Sequence, residues 1–211
     1  MNDFALSPST KTPAQKTAGA PSRTSTLKQN AIIIGIALAA MWGLEIIDAI
    51  VGQPLNDWGV VPRTATGLLG IPLSPLLHGG FPHLVSNTIP FAVLAFFTLL
   101  RGPKNFAMAT GFIVLVGGLL VWLMGRSASH IGASGLIFGY FGYLLAAGFF
   151  ERSLKSILLA VLVGLLYGGM IFGVLPSQPG VSWEGHLFGA LAGGGFAWLT
   201  LGRKKNQPKK A

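Results

Sequence analysis

Six runs of mostly apolar residues, each close to twenty residues long, divide the chain at about 31–51, 83–100, 105–125, 132–150, 156–175 and 183–201. A helix rises about 1.5 Å per residue, so each run is long enough to cross the roughly 30 Å hydrocarbon core of a bilayer. The first run differs from a secretory leader in three ways: its length exceeds an ordinary h-region, Glu45 and Asp48 interrupt its end, and thirty residues precede it. The pattern therefore predicts six membrane-spanning helices with a retained first span. Between spans one and two lies the single long connection, about residues 52–82, whose Trp58, Pro62, Pro72, Pro75, Gly79, Gly80 and Pro82 predict a folded loop with short helical turns.

Composition agrees with this pattern. Of 211 residues, 51% are hydrophobic and only 10% charged, far from the roughly 25% charged residues of a soluble domain. The expected organisation is one membrane domain over 31–201 between two disordered tails. Residues 1–30 are mostly Ser, Thr, Pro, Ala and Lys, and residues 202–211 are mostly basic. The net charge of +9 would in a soluble chain raise nucleic acid as a partner. Its placement excludes that reading, because no aromatic residue after Phe4 interleaves with the basic residues of either tail. If the amino terminus is cytoplasmic, 13 of the 15 Lys and Arg residues fall on the cytoplasmic side, with Arg63 and Arg126 outside. The positive-inside rule thus predicts both termini in the cytoplasm and places the 52–82 loop outside. The chain has no cysteine, which removes disulfides, thiolate metal sites and a cysteine nucleophile.

Against this apolar background a few polar residues stand out. Ser134, in Gly132-Ala133-Ser134-Gly135, and His186, in Glu184-Gly185-His186-Leu187, each lie seventeen residues before the first charge that ends their run, Glu151 and Arg203. Equal counts put both at one depth, roughly 25 Å from the same membrane face. GxSG alone is a weak signal in a glycine-rich chain, and a serine at a close helix contact would give the same string. An ionisable residue inside a span is more telling. Gly185, Gly189 and Gly193 recur every four residues beside His186, and Gly135, Gly139 and Gly142 offer a matching surface on span four. Packing of these surfaces would bring the imidazole to the hydroxyl as a general base. His83 and Asn87, four apart on span two, reach the same level and can both donate hydrogen bonds, as a developing oxyanion requires. An Asn side chain satisfying backbone at a helix start is the bland alternative. His78 stands five before His83 and could orient the loop or that ring. Metal binding by His78, His83, His130 and His186 is the rival use, but HExxH is absent and the nearby acids, Asp57 and Glu184, are few. No metal or other cofactor is expected, and with no third member at depth a Ser-His dyad is the economical reading.

Taken together, His83-Leu-Val-Ser-Asn87, Gly132-Ala-Ser134-Gly135 and Gly185-His186-Leu-Phe-Gly189 resemble, in order and in level, the motifs of the rhomboid family of intramembrane serine proteases. The resemblance covers about residues 58–200. It implies an all-α, six-helix rhomboid-like bundle with a structured first outer loop, in a prokaryotic plasma membrane. Carried over, Ser134 is the nucleophile and His186 its base, while His83, Asn87 and the Ser134 backbone N–H form the oxyanion hole. Gly132, Gly135, Gly189, His78 and Phe138 support them. Phe138 stands where some relatives have tyrosine and can stack on the base without donating a hydrogen bond. The first loop lacks the adjacent Trp-Arg pair of some members, although Trp58 and Arg63 occur separately. The implied substrates are transmembrane segments of other proteins, cut near the outer leaflet. Water must reach Ser134, and the outer loop 176–182, Pro-Ser-Gln-Pro-Gly-Val-Ser, is the expected mobile cap over it. An inactive rhomboid-like protein that holds membrane clients and a small transporter remain as alternatives, and the sequence leaves the oligomeric state open.

Overall fold

The computed structural model describes residues 23–176 and 180–202. The expected disordered tails therefore lie outside the described residues over 1–22 and 203–211, as does the middle of the expected cap, 177–179. Among the described residues the chain is almost wholly helical, and its one pairing of extended backbone is the antiparallel bridge between Val60 and His130. In chain order the helices are α1 (Arg23–Val51), α2 (Ala65–Leu73), α3 (Phe81–Leu99), α4 (Pro103–Phe112), α5 (Gly118–Met124), α6 (Ser134–Glu151), α7 (Leu154–Tyr167) and α8 (Trp183–Ala197). A π turn at Ile113–Gly117 joins α4 to α5 in one rod, a 3-10 segment at Gly168–Val174 prolongs α7, and a π turn at Trp198–Gly202 prolongs α8.

Among the described residues five helices are long and apolar enough to cross a membrane: Thr26–Val51, Phe81–Leu99, Pro103–Met124, Ser134–Glu151 and Leu154–Val174. They coincide with the first five expected spans to within a few residues, except that α1 begins at Arg23, eight residues ahead of the apolar run. Leu27, Lys28 and Gln29 are good helix formers, so the helix continues past the point where hydrophobicity stops marking it. The expected sixth span is helical over Trp183–Gly202, but its six glycines, Glu184 and His186 leave it less apolar than the other five.

Helix α6 is the most buried of the spans and α7 the least. The reason α6 can be central is its glycine face. A methyl group on Gly189 would land on the carbonyl of Gly135, one on Gly193 on the carbonyl of Gly139, and one on Gly142 on the carbonyl of Ala190. The two backbones thus approach more closely than any side chain allows, which is how helices gain dispersion contact where lipid removes the hydrophobic drive. Around this seam a buried cluster including Leu84, Phe91, Leu94, Tyr140, Tyr143, Leu144 and Phe196 fills the remaining volume.

The 52–82 connection is folded, as its composition predicts, into a 3-10 turn at Pro54–Trp58, α2 and a second turn at Ser74–Leu76. Its anchor is not Trp58, which is exposed. Arg63 instead donates to the carbonyls of Leu123 (3.3 Å) and Gly125 (2.9 Å), orphan acceptors at the end of α5, and its own N–H reaches the Trp122 carbonyl at 3.0 Å. The Trp122 indole returns a bond of 2.7 Å to the Thr64 carbonyl. Arg63 and Thr64 are thus tied to Trp122 and to the carbonyls at the end of α5, which anchors the loop there. At the opposite end of the bundle, Arg101 joins Tyr143 (2.7 Å) and Glu151 (2.8 Å), closing α3 onto α6.

The seam predicts opposite outcomes at neighbouring glycines. Gly193→Ala forces α8 off α6 and should lower stability by about 1–3 kcal/mol or more, the usual cost of overpacking. Gly194→Ala meets nothing within 4 Å and should be neutral or slightly stabilising. Thermal unfolding of the two variants in detergent measures the contrast, and equal midpoints would contradict the seam.

Candidate functional site

Ser134 opens α6, so its backbone N–H belongs to the first turn, whose donors have no partner within the helix. The turn before it is set by Gly132, whose φ of +111° favours glycine and whose added methyl would sit 2.7 Å from Cε1 and Nε2 of His83 and 3.7 Å from the Asn87 amide nitrogen. Two bonds hold the turn from behind: Gly132 N–H donates to the Ser74 carbonyl (2.9 Å), and Ala133 N–H donates to Nε2 of buried His78 (3.4 Å). The Ser134 side chain is left half-buried and facing inward.

His186 sits one turn into α8, whose N-cap Ser182 accepts the Gly185 N–H at 3.2 Å. Its ring is stacked on Phe138, with centroids 4.1 Å apart and planes inclined by only 4°. Nδ1 lies 2.8 Å from the Gly173 carbonyl. A carbonyl oxygen can only accept, so in the neutral ring Nδ1 carries the proton and Nε2 keeps its lone pair. His83 shows the opposite tautomer. Its Nδ1 accepts the Gly79 N–H at 3.3 Å, which leaves Nε2 as the N–H donor beside Gly132. Asn87 gives one amide hydrogen to the His83 carbonyl at 3.2 Å, the bland role foreseen for it, and has a second hydrogen to offer.

These groups share one hollow. A cavity of about 760 Å³ is lined by Ser134, His186, His83, Asn87, Phe138, Gly173 and the chain at Gly180, Val181 and Ser182, among others, and none of the described residues in its wall is charged. Of the residues singled out in the sequence, Ser134, His186, His83, Asn87 and Phe138 meet there. Gly132, Gly135 and His78 lie behind the Ser134 turn, and Gly189 lies on the seam. Among the described residues no hydrogen bond joins Ser134 to His186. Glu184 turns away from the cavity, its carboxylate 3.6 Å from the Arg126 guanidinium. The Gly173 carbonyl, which has no side-chain signature, is the one participant that the sequence did not mark. The arrangement offers a hydroxyl, a ring nitrogen with a free lone pair and several N–H donors around one volume.

A family model described as Rhomboid domain matches residues 65–203. Uncharacterized proteins of Mycobacterium bovis and Mycobacterium tuberculosis are each 40% identical to the chain over 204 residues, covering 89% of it and 85% of their own length. A protein of Acanthamoeba polyphaga mimivirus, named as a rhomboid protein, is 27% identical over 166 residues, covering 75% of the chain and 86% of its own.

Burial, with the neighbouring His83 ring, pushes the His78 imidazole down from 6.5 to about 4. A ring held down in this way binds fewer protons folded than unfolded, so its contribution to stability is complete above pH 6.5 and is lost as pH falls towards 4. His78→Gln removes the titrating group. The gap in unfolding temperature between wild type and this variant should narrow on acidification through that window, and a gap independent of pH would refute the assignment.

Proposed function

The chain belongs to the rhomboid family, and from that premise we propose that it is an intramembrane serine endopeptidase that cleaves transmembrane segments of other proteins. The observation that carries the reading is the convergence of Ser134 and His186 on one uncharged cavity, with the His186 Nδ1 proton already given to the Gly173 carbonyl. Nε2 then takes the Ser134 hydroxyl proton as Oγ attacks the scissile carbonyl. Charge that develops on the carbonyl oxygen is met by the His83 Nε2–H, the free Asn87 amide hydrogen and the Ser134 backbone N–H, the last reinforced by the α6 dipole. The imidazolium returns its proton to the leaving amine, and water then hydrolyses the acyl ester by the same base. Contact between Oγ and Nε2 closes when substrate is bound, since catalytic hydrogen bonds are often long in an empty site.

The distribution of Lys and Arg supports both termini in the cytoplasm, which puts the cavity toward the outer leaflet. A substrate helix must unwind to expose its peptide bond, so Gly, Ala or Pro near the cut favours entry. One observation favours a second reading, a client-binding member without activity: no hydrogen bond joins Ser134 to His186 among the described residues.

Purified protein in liposomes with a fluorogenic membrane substrate separates the two. Ser134→Ala and His186→Ala should each abolish cleavage, and Asn87→Ala should lower kcat by about 10²-fold, as loss of one oxyanion donor does. Undiminished cleavage in the first two variants removes the protease reading. A further variant probes the base: a methyl on Gly173 would lie 2.8 Å from the Phe138 ring and 3.3 Å from Nδ1 of His186. Gly173→Ala should therefore lower kcat by roughly tenfold with KM little changed, because small displacements of a reacting group are costly.

A further inference from the structure

We propose that His130 is a positioning residue that fixes the spacing between nucleophile and base by tying the segment before Ser134 to the N-cap of α8. The inference rests on the serine-protease reading and assigns a role to a histidine outside the dyad and the oxyanion donors. His130 stands four residues before Ser134, and Ser182 stands four before His186. The two meet: Nδ1 of His130 lies 2.6 Å from Oγ of Ser182. The other ring nitrogen, Nε2, lies 3.1 Å from the Arg126 carbonyl, an obligate acceptor, so Nε2 carries the proton and Nδ1 must accept from the Ser182 hydroxyl. Ser182 in turn accepts the Gly185 N–H that starts α8. Donation thus runs in one direction from the start of the helix that bears His186, through the Ser182 hydroxyl and the His130 ring, to the Arg126 carbonyl.

The histidine is itself immobilised. Its backbone exchanges two bonds of 3.0 Å with Val60, and its side chain is buried. Arg126 joins the same segments as well: its backbone N–H donates to the buried Glu184 carboxylate at 3.3 Å, its guanidinium lies 3.6 Å from that carboxylate, and Nη2 donates to the Val181 carbonyl, but these bonds leave the loop eight residues before Ser134, whereas His130 stands four before it. His130 and Ser182 also border, with Ser134, Gly135 and Gly185, a small cavity of about 50 Å³ on the far side of the nucleophile, so any loosening there reaches Ser134 directly. Among the described residues no other side-chain hydrogen bond in the wall of that cavity joins the two segments.

The test compares wild type with His130→Phe, His130→Asn, Ser182→Ala, Ser182→Thr and the double variant His130→Phe/Ser182→Ala. For each, kcat and KM are measured on a membrane substrate in liposomes, together with the rate at which a fluorophosphonate labels Ser134; Ser134→Ala serves as blank. His130→Phe and Ser182→Ala should each lower kcat and labelling by about ten- to a hundredfold with KM within about twofold, the signature of a misplaced reacting group. The double variant should be no worse than the poorer single one. His130→Asn retains an acceptor near the Nδ1 position and Ser182→Thr retains the hydroxyl, so both should recover most of the labelling rate. If His130→Phe does not fold, Ser182→Ala against Ser182→Thr makes the same comparison. Labelling as fast as wild type in folded His130→Phe or Ser182→Ala, losses that multiply in the double variant, or failure of Asn and Thr to rescue would each overturn the inference while leaving the protease reading intact. A wild type that neither labels nor cleaves would overturn both.

Discussion

Everything near the cavity depends on how closely α6 and α8 approach. Their glycines let one backbone press on the carbonyls of the other, and that contact fixes the relative height of two helix starts. Ser134 opens α6 and His186 lies in the first turn of α8, so the seam sets their separation as surely as a covalent bridge would. Neither helix could supply this alone, because a helix start fixes direction but not distance. Ile113, at the π turn between α4 and α5, closes against Gly139 on the same face, so the rod behind the seam also bears on the site.

A second theme is that main-chain atoms settle where each imidazole proton resides. The Ala133 N–H meets Nε2 of His78 and the Gly79 N–H meets Nδ1 of His83, while the Arg126 and Gly173 carbonyls accept from His130 and His186. All four histidines of the chain are addressed in this way. Among the described residues no side chain hydrogen-bonds to His186, whose ring is held by the stacked Phe138 and by the Gly173 carbonyl at Nδ1; in the proposed mechanism that carbonyl takes the place a carboxylate has in a triad.

Much of this was legible in the sequence because hydrophobic length and glycine period are local signals. The runs marked the spans to within a few residues, and the four-residue recurrence at Gly185, Gly189 and Gly193 marked the face that α8 presents to α6. Equal counts from Ser134 and His186 to their next charges matched two positions far apart in the chain. What stayed hidden has no local signature. The start of α1 at Arg23 follows from helix propensity after hydrophobicity has ended. Arg63 and Trp122 are distant in sequence, and only the folded loop shows that they meet. Gly173 contributes a carbonyl, which every residue possesses. His130 was legible as a ligating type but not as a partner of Ser182, although the shared offset of four residues to Ser134 and His186 was there to be noticed.

The uncharged wall of the large cavity has an electrical consequence. Placing a lone ion in a medium of low permittivity costs several kcal/mol even after relaxation, so this hollow assembles in lipid without dehydrating one. A transmembrane voltage does work on charge that it can move through the field. In the proposed mechanism the proton that passes from the Ser134 hydroxyl to His186 stays within this lining, so it would separate charge there without adding net charge, and the voltage would act only on the dipole so formed.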